Sequence, residues 1–266
     1  MRKNSQTLTT QSIPALIKQL AIPASIGMFF NTMYNVVDTF YAGLISTQAI
    51  SALTLSFMIF FLIIGFGYGF SSAITALLGN ALGKKRYKLA SIYAHKGLIF
   101  VPLIGLTLSI IGYFFAPSLF MFLGAKDEYL QISLDYINPI LFGAIFFMFN
   151  FSLNSILIAT GDTKTYRNSL IFGFFANLAL NPLFMYGFLF VPAMGIKGIA
   201  FATVLIQIIN MFYLFYKVLQ TKLIHFDKLE YFIPNLRIYK LFFTHGIPSS
   251  LNMLTMAIGS LILTYF

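Results

Sequence analysis

The chain has 266 residues, of which 59% are hydrophobic, 18% aromatic and only 9% charged, and its mean hydropathy is +0.85. About a quarter of the residues of a soluble domain are charged. A water-soluble globule, a cytosolic enzyme, a nucleic-acid-binding domain and a disordered tail are therefore excluded, and the bilayer is the solvent that suits this composition. There is no Cys, which removes disulfides and thiolate metal sites, and a net charge of +10 reads first as topology.

In chain order, a polar tail, Met1–Ser12, precedes seven apolar runs: Leu20–Tyr41, Ala52–Leu78, Gly97–Phe115, Leu134–Ala159, Leu170–Phe190, Gly198–Leu219 and Leu241–Phe266. Each is near the roughly 20 residues that a helix needs to cross hydrocarbon, and an open sheet cannot sit in lipid. The fold class expected is an all-α, polytopic membrane protein. A cleaved signal peptide does not fit the first run, since no small-residue cleavage site follows a short apolar core. Pro117–Gly124 reads as a short amphipathic piece at the outer surface. All Lys and Arg residues except Lys126 and Lys197 lie before the first run, between runs two and three or four and five, or from Lys217 at the end of run six to the start of run seven. This asymmetry places the N-terminus and those loops in the cytoplasm and counts against a seven-helix receptor; the expected location is a bacterial inner membrane. The run Lys84, Lys85, Arg86 and Lys88 follows from topology alone, with a lipid-headgroup or nucleic-acid site as the other reading.

Ile22-Pro23-Ala24-Ser25 opens the first run and Ile247-Pro248-Ser249-Ser250 opens the seventh. Six spans separate the two starts, an even number, so the second copy runs parallel to the first. Two parallel six-helix halves are a transporter architecture. The expected organisation is a first lobe at 1–220, a cytoplasmic inter-lobe loop at 221–240, and at 241–266 the first helix of a second lobe that stops inside an apolar run. The expectation is a truncated second lobe whose lone seventh helix docks weakly, since lipid already solvates apolar side chains.

Asp38 is the only carboxylate deep in an apolar run. Its insertion costs at least about 2.5–3.5 kcal/mol, which makes it a functional candidate by default. Asn31, Tyr34, Asn35 and Asp38, spaced i, i+3, i+4 and i+7, fall on one stripe of the first helix. The same spacing recurs in Asn150 and Asn154, in Asn177 and Asn181, and in Thr203, Gln207 and Asn210. For the Asn pairs, the other reading is ordinary interhelical hydrogen bonding. Counted from the span starts, Asp38, Asn177, Asn181 and Thr203 lie in the outer half and are expected to converge on one polar pocket. Pro182 frees the carbonyl of Leu178 as a possible ligand, and Pro23 and Pro182 are candidate bends. Gly65, Gly67 and Gly69 lie inside a span and serve close helix packing rather than a phosphate loop. His95, His225 and His245 have no ligand spacing, so no metal site is expected beyond a Na⁺ at Asp38. Asp135 is expected to be solvated, and the Phe residues to face lipid or line a cavity.

These residues resemble the multidrug and toxic compound extrusion (MATE) family of secondary transporters. The match runs from Ile22-Pro23 through the stretch Asn31 to Gly43, which contains Asp38. It continues through Ala49 to Leu53, Gly79 to Lys85, Gly161-Asp162-Thr163-Lys164, Asn177 to Pro182 and Gly195 to Ala200. The resemblance implies twelve helices in two six-helix lobes that export bulky, often cationic and lipophilic drug-like compounds in exchange for H⁺ or Na⁺. This chain would supply the first lobe and the first helix of the second. By position, Asp38 resembles the cation-coupling carboxylate, and Tyr34, Asn177 and Thr203 its polar neighbours. Many members carry a second acid where this chain has Asn181, which puts a two-carboxylate site in doubt. Asn31, Asn35, Asn150, Asn154, Gln207 and Asn210 are the weaker candidates for the substrate cavity. No cofactor is expected beyond the coupling ion, and no nucleic-acid partner. Binding of H⁺ or Na⁺ at Asp38 would let the first helix bend and release the drug outward. A flippase for a lipid-linked precursor shares the two-lobe plan, but it favours a basic central cavity, and the basic residues here lie in loops.

Overall fold

In hydrocarbon no water satisfies main-chain groups, so each apolar run must close its own hydrogen bonds as a helix. The computed structural model describes residues 11–188 and 191–265. Among those residues it forms seven long helices: α1 (Ile13–Ile45), α2 (Thr47–Gly83), α3 (Tyr87–Phe122), α4 (Asp127–Ala159), α5 (Lys164–Tyr186), α6 (Ile196–Gln220) and α7 (Leu236–Tyr265). A 3₁₀ turn, Leu229–Tyr231, precedes α7. Arg2 and Lys3 of the charge count, and the predicted span ends Phe190 and Phe266, lie outside the described residues. Helices α1 to α6 are each long and apolar enough to cross a membrane.

The helices outrun the apolar runs because the backbone keeps its closed bonds into the polar ends. The predicted surface piece at Pro117–Gly124 is corrected on this ground. Pro117 lies inside α3, which continues to Phe122, and Gly124 at φ +93° ends the turn. Proline removes one helical hydrogen bond and kinks a helix without ending it. Short polar caps set the joints. Ser46 Oγ accepts from Ala49 N at 3.0 Å at the start of α2. Asp162 accepts from Thr165 N at 3.0 Å and from Thr165 Oγ1 at 2.5 Å at the start of α5. Asn235 Oδ1 accepts from the amides of Arg237 and Ile238 at 3.1 and 3.2 Å. That cap starts α7 at Leu236, ahead of the apolar run at Leu241.

Side-chain contacts fix the order of the helices. Parallel α1 and α5 touch at Gln19–Thr163 and at Tyr41–Leu178. Parallel α2 and α4 touch at Ser71–Phe151 and Thr75–Ser155, each pair 80 residues apart. α4 is the axis: 72% of its apolar window is buried, against 11% for α1 at the rim. Bare positions let neighbours close on it. A Cβ on Gly105 of α3 would lie 2.7 Å from Met148, and one on Gly143 of α4 would lie 2.5 Å from Val204 of α6.

The expectation that the seventh helix lacks a partner is overturned. α7 runs antiparallel along α2 in close backbone contact. A Cβ on Gly69 would lie 2.6 Å from Ser250 N and 2.7 Å from the Gly246 carbonyl, and one on Gly246 would meet the Phe70 ring, 2.8 Å from its Cε1. Association in lipid depends on such small-residue faces, because close packing rather than hydrophobicity drives it. An aromatic cluster extends the contact, with the Phe70 ring 5.1 Å from Phe100 and 5.4 Å from Phe243, both edge-on.

The connector between α6 and α7 is clasped to the start of α3. Ser91 Oγ donates to the Leu223 carbonyl at 2.6 Å, and the His225 amide donates to His95 Nε2 at 3.0 Å. The buried His95 ring packs edge-on against Phe232 at 4.7 Å. Lys96, counted from sequence among the basic residues between the second and third runs, is buried and donates to the carbonyls of Ile233 and Glu230. Asp135, expected to be solvated, pairs with Lys197 at 3.1 Å, because α4 and α6 begin side by side.

The α2–α7 contact is testable by adding one methyl. Gly69→Ala should destabilise the detergent-purified protein by about 1–3 kcal/mol, the usual cost of overpacking. A Cβ at Gly79 meets nothing within 4 Å. Gly79→Ala should be neutral or stabilise by up to about 1 kcal/mol. Thermal unfolding of both variants compares the two.

Candidate functional site

A stripe of polar side chains on a helix in lipid must face other helices or a water-filled cavity. On α1 the i, i+3, i+4, i+7 stripe faces α5, α6 and a cavity of about 570 Å³. The cavity lies between α1, α2, α4, α5 and α6, with Met253 of α7 on its wall.

The carboxylate of Asp38 is the centre of the stripe and is only 3% exposed. Its Oδ1 accepts from Asn177 Nδ2 and Asn181 Nδ2, each at 2.8 Å, and its Oδ2 accepts from Thr203 Oγ1 at 3.3 Å. Tyr34 OH donates to Thr203 Oγ1 at 3.1 Å, extending the chain of hydrogen bonds into the cavity. Asn181 Nδ2 also reaches Asn177 Oδ1 at 3.2 Å, an i, i+4 contact along α5. The i+4 spacing of the two amides is what lets one helix offer both to a single oxygen. Among the described residues, no Lys, Arg or His lies within salt-bridge distance of Asp38. The charge is held by neutral donors alone.

The structure thus brings together Asp38, Tyr34, Asn177, Asn181 and Thr203. It leaves Asn181 Oδ1 buried and without a hydrogen-bond partner beside the carboxylate. The oxygens of Asp38, Asn181, Thr203 and Tyr34 form an all-oxygen set, the donor type that a hard cation or a proton takes.

Pro182 lies one helical turn beyond Leu178, whose carbonyl accepts from Tyr41 OH at 3.0 Å. The Gln19 carbonyl freed by Pro23 has a longer contact with Thr163 Oγ1, at 3.5 Å. Both prolines lie within their helices.

Asn31, Asn35, Asn150, Asn154, Gln207 and Asn210 all line the cavity. Asn150 follows the interhelical reading in part, donating to Gln207 Oε1 at 2.8 Å. The Oδ1 atoms of Asn150, Asn154 and Asn210 are buried without partners, so the wall offers acceptors. Sequence reasoning missed part of the wall, including Tyr68, Ser71, Ser72 and Thr75 of α2 and the rings of Phe60, Phe61, Tyr136, Phe147, Phe151 and Tyr166. The α2 stripe has the same i, i+3, i+4, i+7 spacing as that of α1 and was legible by the same test. Among the described residues lining the cavity there is no Lys, Arg or His, and Asp38 is the sole acid.

Comparison with known proteins is consistent with this geometry. The MatE family model matches residues 23–183. A probable multidrug resistance protein, YoeA, of Bacillus subtilis (strain 168) is 28% identical over 276 aligned positions, covering 100% of this chain and 59% of that protein. An FAD transporter of Shewanella oneidensis is 26% identical over 201 positions, covering 76% of this chain and 44% of that protein. The solved structure described as the outward-facing conformation of a multidrug resistance MATE family transporter superposes with a TM-score of 0.85 at 28% identity. It covers 96% of this chain and 56% of that one. The chain therefore spans about half the length of the curated relatives it matches.

The donor set around Asp38 predicts a coupled loss of stability. Asn177→Ala and Asn181→Ala should each cost about 1.5–3 kcal/mol, the range for hydrogen bonds to a charged group. Most of that cost should vanish in an Asp38→Asn background, because the amides then serve a neutral partner. Melting curves of the three single and two double variants measure it.

Proposed function

Because the chain belongs to the MatE family, we propose that it forms the first lobe, and the opening helix of the second, of a cation-coupled antiporter that exports lipophilic, cationic drug-like compounds. The observation that carries this reading is the buried Asp38 carboxylate, held only by Asn177, Asn181 and Thr203, at the wall of an aromatic cavity with no basic lining among the described residues. A cavity with one acid, three unpartnered amide oxygens and many aromatic faces favours a cation with N–H donors, through charge and cation–π attraction.

A charged side chain in the membrane is costly, so a proton or a Na⁺ at Asp38 relieves that cost and removes the reason for its three donors to stay in place. Neutralising Asp38 loosens the middle of α1 from these donors on α5 and α6. The ion then biases α1 between two arrangements, and the cavity changes with it. Pro23, whose freed carbonyl has only the long Thr163 contact, is where α1 bends. Asn181 cannot titrate, so this lobe couples through one carboxylate. Export by the complete transporter requires a second lobe to form the opposite wall for alternating access. The basic residues of the even-to-odd loops support a bacterial inner-membrane orientation with the N-terminus in the cytoplasm.

One relative transports FAD, and the two-lobe plan also suits a flippase for a lipid-linked precursor. Both cargoes carry a pyrophosphate, and a lining without Lys or Arg disfavours them.

In the full-length transporter, expressed in a drug-sensitive strain, Asp38→Asn should abolish active efflux of a fluorescent cationic dye while membrane insertion is kept. Efflux at the unsubstituted rate would sink the coupling assignment, and preferential export of an anionic dye would overturn the cavity reading. Reporter fusions in the Lys84–Lys88 loop and in the connector at 221–235 should both report cytoplasm. A periplasmic signal from either reverses the topology.

A further inference from the structure

Tyr41 continues the polar stripe of α1 one turn beyond Asp38, and it contacts the carbonyl that a proline on another helix frees. Pro182 has no N–H, so the Leu178 carbonyl has no partner within α5. An unpaired carbonyl in hydrocarbon is costly. The Tyr41 hydroxyl donates to it at 3.0 Å. The tyrosine ring is partly buried, packs on the main core, and meets Phe40 edge-on at 5.5 Å.

The position of this bond gives it a role. Tyr41 follows Asp38 by one helical turn, and Leu178 directly follows Asn177. On adjacent turns, α1 accepts from α5 through Asp38 and donates to α5 through Tyr41. The two kinds of bond respond differently to a coupling ion. The amide bonds to Asp38 depend on its negative charge. The Tyr41 bond ends on a main-chain carbonyl, whose charge does not change.

We propose that Tyr41 is a positioning residue for the coupling site: its hydroxyl holds the outer turn of α1 in register with α5 while Asp38 is neutralised, so that the carboxylate meets the same three donors when the ion leaves. The proposal rests on the reading of Asp38 as the coupling carboxylate. Tyr41 touches neither ion nor drug. It acts through the register of two helices, and only because Pro182 leaves a carbonyl to be claimed.

That dependence provides the test. Pro182→Ala restores an N–H to which the Leu178 carbonyl can bond within α5, making the tyrosine hydroxyl redundant. The full-length transporter would be purified in four forms: unsubstituted, Y41F, P182A and Y41F/P182A. The readout is the rise in melting temperature with Na⁺ at fixed pH, and with proton concentration without Na⁺. It reports ion affinity even in a variant that no longer transports. Binding of a cationic dye is measured in parallel. Y41F should weaken apparent ion affinity by about 3- to 10-fold, the size of one net hydrogen bond, with dye affinity unchanged. In the P182A background the same change should move ion affinity by less than about 2-fold. Unchanged ion affinity in Y41F, or an equal shift in both backgrounds, overturns the proposal. Asp38→Asn in the same assay separates the two readings. If it retains ion-dependent stabilisation, the coupling assignment falls and this proposal with it. If it loses that stabilisation while Y41F matches the unsubstituted protein, only the role of Tyr41 falls.

Discussion

A carboxylate inside a helical bundle in lipid needs donors on every side that water does not reach, and the arrangement of α1, α5 and α6 answers to that need. Asp38 draws two amides from one face of α5 and a hydroxyl from α6. Satisfying it fixes the rotation of three helices at once: α5 must present Asn177 and Asn181, α6 must present Thr203, and α1 must turn its stripe inward. The cavity follows from this, because the rest of the α1 stripe then faces α2 and α4 across open space. In the proposed coupling, the bonds that satisfy the charge are also the bonds that a proton or metal ion would release, so a structural requirement and a means of control would fall on the same side chain.

Elsewhere the bundle is held by backbone proximity rather than polarity. Gly105 and Gly143 let α3 and α6 close on α4, and Gly69 with Gly246 lets α2 and α7 approach to main-chain contact. These are the interactions available in a solvent as apolar as the side chains themselves. They make α7 part of the same packed unit as α2, although the sequence reading assigns it to a second lobe. At the end of the bundle where α3 begins, the clasp of Ser91, His95 and Lys96 on the connector works on a different principle, supplying polar side chains to carbonyls and an amide that a loop leaves open.

The sequence by itself determined the class of solvent, the number of apolar runs, the helical class and the stripe containing Asp38. The reason is that hydropathy and the 3.6-residue period are local properties, and a lone acid in an apolar run is costly wherever it packs. It also placed Asn177, Asn181 and Thr203 at a matching depth, since depth is set by distance along the chain from each span's start. The tertiary structure decided which stripes share a pocket, how α7 docks, and that Lys96 is buried against the connector. It alone decided that Tyr41 takes the Leu178 carbonyl. Each of these depends on which helices approach closely and at what rotation, and in lipid that is set by the fit of small residues between two faces, which neither face's periodicity encodes.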